Sequence, residues 1–307
     1  VKRLRSIRDF YKDLWIRTMS NRKSIMGIML CLITALVVSE ALGHDSASVH
    51  GYPIVFLCCC TAFVIQWLVF VPAYIFKTEH YYDLTGSLTH ITVMLVALVS
   101  IPVITLRDLF LVFLVFVWAS RLGSFLFFRV KETGCDERFT LIKSRFWWFL
   151  MTWTLQGLWV FLTLAMALAA LTSNYKTDLH SFTWLGLGIW AFGFVFEVVA
   201  DYQKTKFRRD PNKKDEFITH GLWSWSRHPN YFGEMLLWSG IAVLSAPVLT
   251  GWQWVGLVSP VFVALLLLKV SGVELLEARG RKRWGQNPNY QRYLEQTSKL
   301  IPLPPKV

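Results

Sequence analysis

Apolar runs of about twenty residues recur along this chain, and they leave few folds open. They lie at roughly Lys23–Leu42, Pro53–Phe76, Leu84–Val103, Leu109–Phe128, Phe146–Leu171, Phe182–Ala200, Tyr231–Pro247 and Trp254–Val270. A helix of that length crosses the hydrocarbon core of a bilayer. Lipid offers no partner to a backbone N–H or C=O, so such runs must form helices or a closed barrel, and continuous apolar runs favour helices. The expected fold is an all-α polytopic membrane helical bundle of about eight transmembrane helices. Charged residues make up 17% of the chain, against about a quarter in soluble domains. No stretch between the runs is long enough for a soluble domain. Residues 1–307 therefore read as a single membrane domain, with 1–52 a basic N-terminal segment plus an extra helix.

The net charge of +12 is distributed by loop. Lys2, Arg3, Arg5, Arg8, Lys12, Arg17, Arg22 and Lys23 open the chain, and further basic residues sit at 77–83, 129–145, 201–230 and in the tail from Glu274. The alternate loops carry none at 43–52, only Arg107 after the third run and only Lys176 after the fifth. The positive-inside rule puts both termini in the cytosol, and eight spans fit this parity where seven would break it. The expected location is the endoplasmic reticulum membrane in a eukaryote or the inner membrane in a bacterium. Topology accounts for the basic charge without nucleic acid. Cys31, Cys58, Cys59 and Cys60 fall in spans and Cys135 in a loop; no metal spacing or disulfide framework is present. The first run is too long and too interior for a cleaved signal peptide.

Ionisable groups at membrane depth are costly and usually face protein or a water-filled cavity. Asp83, Ser87 and His90 share one face of the third span, and Trp118 and Arg121 are a turn apart in the fourth. Glu197 and Asp201 are four apart at the end of the sixth, with Arg208 seven further on if the helix continues. The run GLWSWSRHPNYFGE then brings Arg227, His228, Asn230, Tyr231 and Glu234 to the start of the seventh. Pro229 suits the first position of a helix, and Asn230 and Glu234 would share a face. Each group also has a plainer reading: an interfacial anchor, a structural ion pair, or contact of the Arg/Lys run with anionic headgroups. Together they suit a pocket open to cytosolic water, with Lys204, Lys206, Arg208 and Arg209 as a cationic rim for phosphate. Glu197, Asp201, Asn230 and Glu234 would serve hydroxyls, amides or an amine. No GxGxxG after a strand and no Walker loop occurs, which excludes the soluble nucleotide folds. Glu277 and Arg281 form an i, i+4 pair in the tail, which is either a solvated face or a segment folded back over the pocket.

Three segments carry a resemblance: DYQKTKFRRDP, GLWSWSRHPNYFGEMLLW and ELLEARGRKRWGQNPNYQRYLEQTSKLIP. They look like the C-terminal half of the steroid 5-alpha-reductase family, and more closely like its broad branch of membrane reductase-like proteins. RHPNYFGE also resembles the motif of sterol C14 and C7 reductases. The resemblance is strong over 195–303, the expected cofactor-binding part, and weaker at WASRLGSFLFFR. It implies an NADPH-dependent reductase of a carbon–carbon double bond in a lipid or steroid-like enone, with substrate entering from the bilayer. By matching positions, Glu197, Asp201, Arg208, Asn230 and Glu234 would hold NADPH. Arg227, His228 and Tyr231 are motif neighbours, and Arg121 matches a residue near the nicotinamide end. Glu277 and Tyr293 carry over from the tail. Trp118 stands where the steroid enzymes use a Tyr, and Asp83 corresponds loosely to their partner Glu. Asp83, His90 or Trp118 with water are the candidate proton donors.

Two other readings stay open. Isoprenylcysteine carboxyl and phospholipid methyltransferases carry a related RHPxYxG motif and a similar tail, which would make the cofactor S-adenosylmethionine. A non-enzymatic lipid-binding membrane protein is the third, supported by Trp118. The residues do not identify the substrate or the oligomeric state.

Overall fold

The computed structural model describes residues 20–133, 139–270 and 272–305, with side chains described outside 129–133. The basic residues from Lys2 to Arg17, together with Cys135, lie outside the described residues. The fold is all-helical, and eight helices among the described residues are long and apolar enough to cross a membrane. A short antiparallel hairpin, Ser48–Val49 with Tyr52–Pro53, interrupts them. His50 and Gly51 at its turn both have positive φ, 51° and 82°, the backbone that a two-residue hairpin turn requires.

The chain divides into two compact units. The first comprises residues up to Tyr175 and the segment Thr250–Gly256. It holds α1 (Asn21–Gly43), α2 (Ile54–Ile75), α3 (Tyr82–Ser100), α4 (Leu106–Thr133) and α5 (Phe146–Thr172). Helix α5 packs on α1, α2 and α3 and is buried almost throughout. Its sequence explains the position, since small residues run through ALAA and Gly157 accepts the Phe63 ring against its backbone. Helix α1 keeps Met26, Leu30, Ile33 and Val37 exposed along one stripe. An exposed apolar stripe on a membrane helix is a lipid-facing surface. Near one end of α2 and α5, Phe70, Phe149, Trp153 and Phe139 form an aromatic cluster. There the buried Glu79 pairs with Lys143 at 2.6 Å.

The second unit contains Lys176–Leu249 and Leu257–Val307. It holds α6 (Ser181–Arg209), α7 (Pro229–Ser245), α8 (Val258–Leu265), α9 (Val273–Trp284) and α10 (Pro288–Gln296). Helices α6 and α7 lie backbone to backbone. A side-chain carbon on Gly193 would fall 2.6 Å from Leu237 N, and one on Gly240 would fall 2.6 Å from Trp190 N. Gly186 and Gly193 on α6 thus meet Gly240 and Gly233 on α7, the small-residue contact by which membrane helices approach closely.

Two of the apolar runs end differently from expectation. The sixth span continues as helix nine residues past Ala200, to Arg209. Nothing from Asp201 to Arg209 breaks a helix, and Pro211 then restricts Asp210. The basic last turn, Lys206, Arg208 and Arg209, suits the negative end of the helix dipole. The eighth run is not one regular helix. A 3-10 stretch at Gly251–Leu257 leads into α8, and a π-helical turn follows at Leu266–Val270. Apolar content reports burial and says nothing about helical pitch.

Candidate functional site

Helix α7 begins at the RHPN motif, and the tail is stitched to it there. Pro229 occupies its first turn, as its missing N–H allows. Ser226 Oγ accepts from His228 N at 3.1 Å and donates to Leu300 O at 2.7 Å. Arg227 N donates to Ser298 O and Leu303 N to Trp225 O. The segment after α10 therefore runs alongside 225–227, and the tail folds back over the motif.

That return brings Glu277 from α9 between two motif side chains. Arg227 Nη1 donates to Glu277 Oε2 at 2.9 Å, and His228 Nε2 donates to Glu277 Oε1 at 3.0 Å. The carboxylate accepts only, so Nε2 carries the proton and Nδ1 is left as the acceptor in the neutral ring. Burial holds the His228 imidazole below its ordinary value; the Glu277 hydrogen bond opposes this, and the charges of Lys204 and Arg227 reinforce it. The ring stacks parallel to Tyr231, centroids 5.7 Å apart.

The triad forms part of the wall of a cavity of about 250 Å³ within the second unit. Lys204, Arg208, Lys213, Lys214 and Arg283 supply cationic groups, and Glu216 and Glu277 supply carboxylates. Phe217, Trp223, Trp284, Tyr290 and Tyr293 supply aromatic rings. Phe217 packs edge-on against Tyr290 at 4.9 Å and lies near Tyr293 and Trp284. Tyr293 OH donates to Trp223 O at 2.8 Å, and Trp223 Nε1 to Ala200 O at 3.0 Å. Burial raises the Tyr293 hydroxyl above the usual phenol range, so it stays a neutral donor. Lys204 Nζ sits 4.6 Å above the Trp223 ring. The Tyr290 hydroxyl packs on the Gly280 backbone, where any side chain would displace it. Gly221, at φ 63°, turns the chain so that Leu222 N reaches Gln203 Oε1 at 3.0 Å.

Of the expected site residues, Arg208, Arg227, His228, Glu277 and Tyr293 line this cavity. Glu197, Asp201, Asn230, Tyr231 and Glu234 do not. They lie along α6 and α7, where Asn230 Nδ2 donates to Asp201 Oδ1 at 3.1 Å. Glu197 and Asp201 are both buried. Asp83, His90, Trp118 and Arg121 belong to the first unit. There His90 meets Trp118 edge-to-face, centroids 5.1 Å apart, and Arg121 lies 5.6 Å from the Phe125 ring. The aromatic wall of Phe217, Trp223, Trp284 and Tyr290 was not among the expected site residues. Its only sequence signal is a density of aromatics in two segments otherwise rich in charge.

Cationic groups beside a cluster of tilted and edge-on aromatic rings are side chains that could hold a phosphate-bearing ligand with an aromatic base. At about 250 Å³ the cavity is slightly below the usual range for small-molecule sites.

Comparison with known proteins fits this membrane context. The profile of a family described as a protein of unknown function, DUF1295, matches residues 69–297. This is a steroid 5-alpha-reductase-like family. Over 36% of its length the chain is 29% identical to a probable O-methyltransferase, ustE, of Ustilaginoidea virens, covering 46% of that protein. Over 34% of its length it is 25% identical to an uncharacterized protein, C594.04c, of Schizosaccharomyces pombe, covering 37% of it. The chain thus spans less than half the length of these curated relatives. No solved structure matches it.

Proposed function

The chain belongs to the DUF1295 family, and from that premise we propose that it is a membrane-embedded, NADPH-dependent reductase of a carbon–carbon double bond in a lipid or steroid-like enone. The observation that carries this reading is the second unit's cavity, where six Lys and Arg side chains line a wall with six Phe, Trp and Tyr rings. The cationic set exceeds what S-adenosylmethionine needs, since that cofactor has no phosphate.

In this reading Arg208, Lys204 and Lys213 hold phosphate, and Trp223, Trp284 and Phe217 stack a base. Glu277 orders Arg227 and His228 and so fixes the wall that positions the ligand. When bound, NADPH supplies the hydride. Asp201 and Asn230 hold one another across α6 and α7 and so fix the helix pair that carries Arg208 and the RHPN motif. Copurification tests the proposal: nucleotide extracted from protein prepared in native lipid should be NADP(H) by mass spectrometry.

One observation favours a second reading. The probable O-methyltransferase among the relatives is consistent with S-adenosylmethionine in the same cavity and methyl transfer to a lipid-phase acceptor. Recovery of S-adenosylmethionine or its demethylated product in that extract would favour it.

A further inference from the structure

His90 sits on α3 at membrane depth and is wholly buried. Its ring lies edge-to-face between Trp118 of α4 and Trp159 of α5, with centroids 5.1 and 4.7 Å away. Nδ1 is 2.8 Å from the Gly86 carbonyl. A carbonyl accepts only, so Nδ1 carries the proton and the neutral ring presents a lone pair at Nε2. Nε2 is buried and has no hydrogen-bond partner among the described residues.

Two amides, Gln156 on α5 and Gln66 on α2, repeat this pattern. Gln156 Nε2 donates to Tyr82 O at 2.9 Å, and its Oε1 is buried without a partner among the described residues. Gln66 Nε2 donates to Thr89 Oγ1 at 2.8 Å, while the Thr89 hydroxyl itself donates to Thr85 O at 2.6 Å. Thr89 has no second proton to give, so the Gln66 amide cannot be turned round. Its Oε1 is also buried and has no partner among the described residues. His90 and Gln156 converge at Gly86, where an added side-chain carbon would lie 2.5 Å from Gln156 Nε2 and 3.1 Å from Trp159. Each orphaned acceptor is costly where water is scarce. Protonating Nε2 would not relieve this one, because it exchanges an orphaned acceptor for an orphaned donor and a buried charge.

We propose that His90 Nε2 forms a binding site for a hydroxyl group within the membrane. The hydroxyl O–H donates a hydrogen bond to the Nε2 lone pair and keeps its proton. A ketone or ether oxygen brings only lone pairs and cannot serve. The donor is the hydroxyl of a lipid-phase alcohol or a resident water molecule, which share this chemistry. The proposal stands apart from the cofactor cavity and does not depend on it.

Solid-state NMR of the full chain, labelled with ¹⁵N at histidine and placed in phosphatidylcholine bilayers, tests it. His90→Phe keeps an aromatic ring between Trp118 and Trp159 and assigns the His90 signals by difference. If that variant does not fold, cross-peaks to the tryptophan rings assign them. The expected result is a protonated Nδ1 and an unprotonated Nε2 shifted upfield by an accepted hydrogen bond. If 1-dodecanol moves that signal and dodecyl methyl ether does not, the donor is a lipid-phase alcohol. A water cross-peak at Nε2 that ignores both additives identifies resident water. A protonated Nε2, or an Nε2 at the free-imidazole position in every sample, overturns the proposal.

Discussion

Glu277 Oε2 lies 2.9 Å from Arg227 Nη1, although the two residues are fifty positions apart. The same carboxylate takes His228 Nε2 on its other oxygen. Glu277→Ala removes both acceptors and leaves Arg227 and His228 facing each other, with side chains that are 13% and 6% exposed. The expected loss is about 1–3 kcal/mol, the usual cost of an abandoned partner. Thermal unfolding in detergent, compared with Glu274→Ala at an exposed position of the same helix, measures it. Equal effects of the two substitutions would show that Glu277 is not the organising group.

The approach of α6 and α7 predicts a sharp contrast among glycines. Gly193→Ala and Gly240→Ala each place a carbon 2.6 Å from backbone of the opposing helix. Each should cost at least about 1–3 kcal/mol, as overpacking does. Gly188, on the same helix, has open space around it, and Gly188→Ala should be neutral or stabilising through helix propensity. Comparative unfolding midpoints of the three variants check this, and a destabilised Gly188→Ala would contradict the packing account.

How much of this was legible in the sequence differs by element. Helices α1 to α5 and α7 follow the apolar runs to within a few residues, because length and hydrophobicity are what a bilayer selects. The continuation of α6 to Arg209 lay past the apolar signal, in residues whose helicity only Pro211 bounds. The pitch changes around α8 had no signal at all. For the site, spacing along one helix put Asp201 and Arg208 on a common face. It could not reveal that Asn230 bonds Asp201, since register between helices is set by which glycines meet. The ring of Phe217, Trp284, Tyr290 and Tyr293 joins segments about seventy residues apart, and nothing local marks that pairing.

His228 predicts a pH dependence with a definite sign. Burial, chiefly, places its folded value below that of the unfolded chain, about 6.5. Between those two values the unfolded chain binds more protons, so stability rises with pH there. Stability should be fully present above about 6.5 and should fall as the pH drops below it. Unfolding measured from pH 7.5 down to 5.0 should show this slope, and His228→Gln should flatten it. An unchanged slope in the variant would assign the effect to other histidines.

Topology is tested by labelling in a background without native cysteines. A cysteine at Ser48, in the loop free of Lys and Arg, should react with an impermeant maleimide from the non-cytosolic side. One at Thr78, beside Lys77, should react only from the cytosol. The reverse pattern would mean that basic charge does not orient this chain.

The cofactor reading turns on Arg208, an exposed side chain on the rim of the cavity. The most direct measurement is calorimetric titration of the purified full chain in lipid nanodiscs with NADPH and, separately, with S-adenosylmethionine. NADPH should bind, and Arg208→Ala should weaken it about tenfold, the value of a charge-assisted hydrogen bond of about 1.5 kcal/mol. Binding of S-adenosylmethionine with no response to NADPH, or NADPH affinity unaltered in a folded Arg208→Ala protein, would contradict the account.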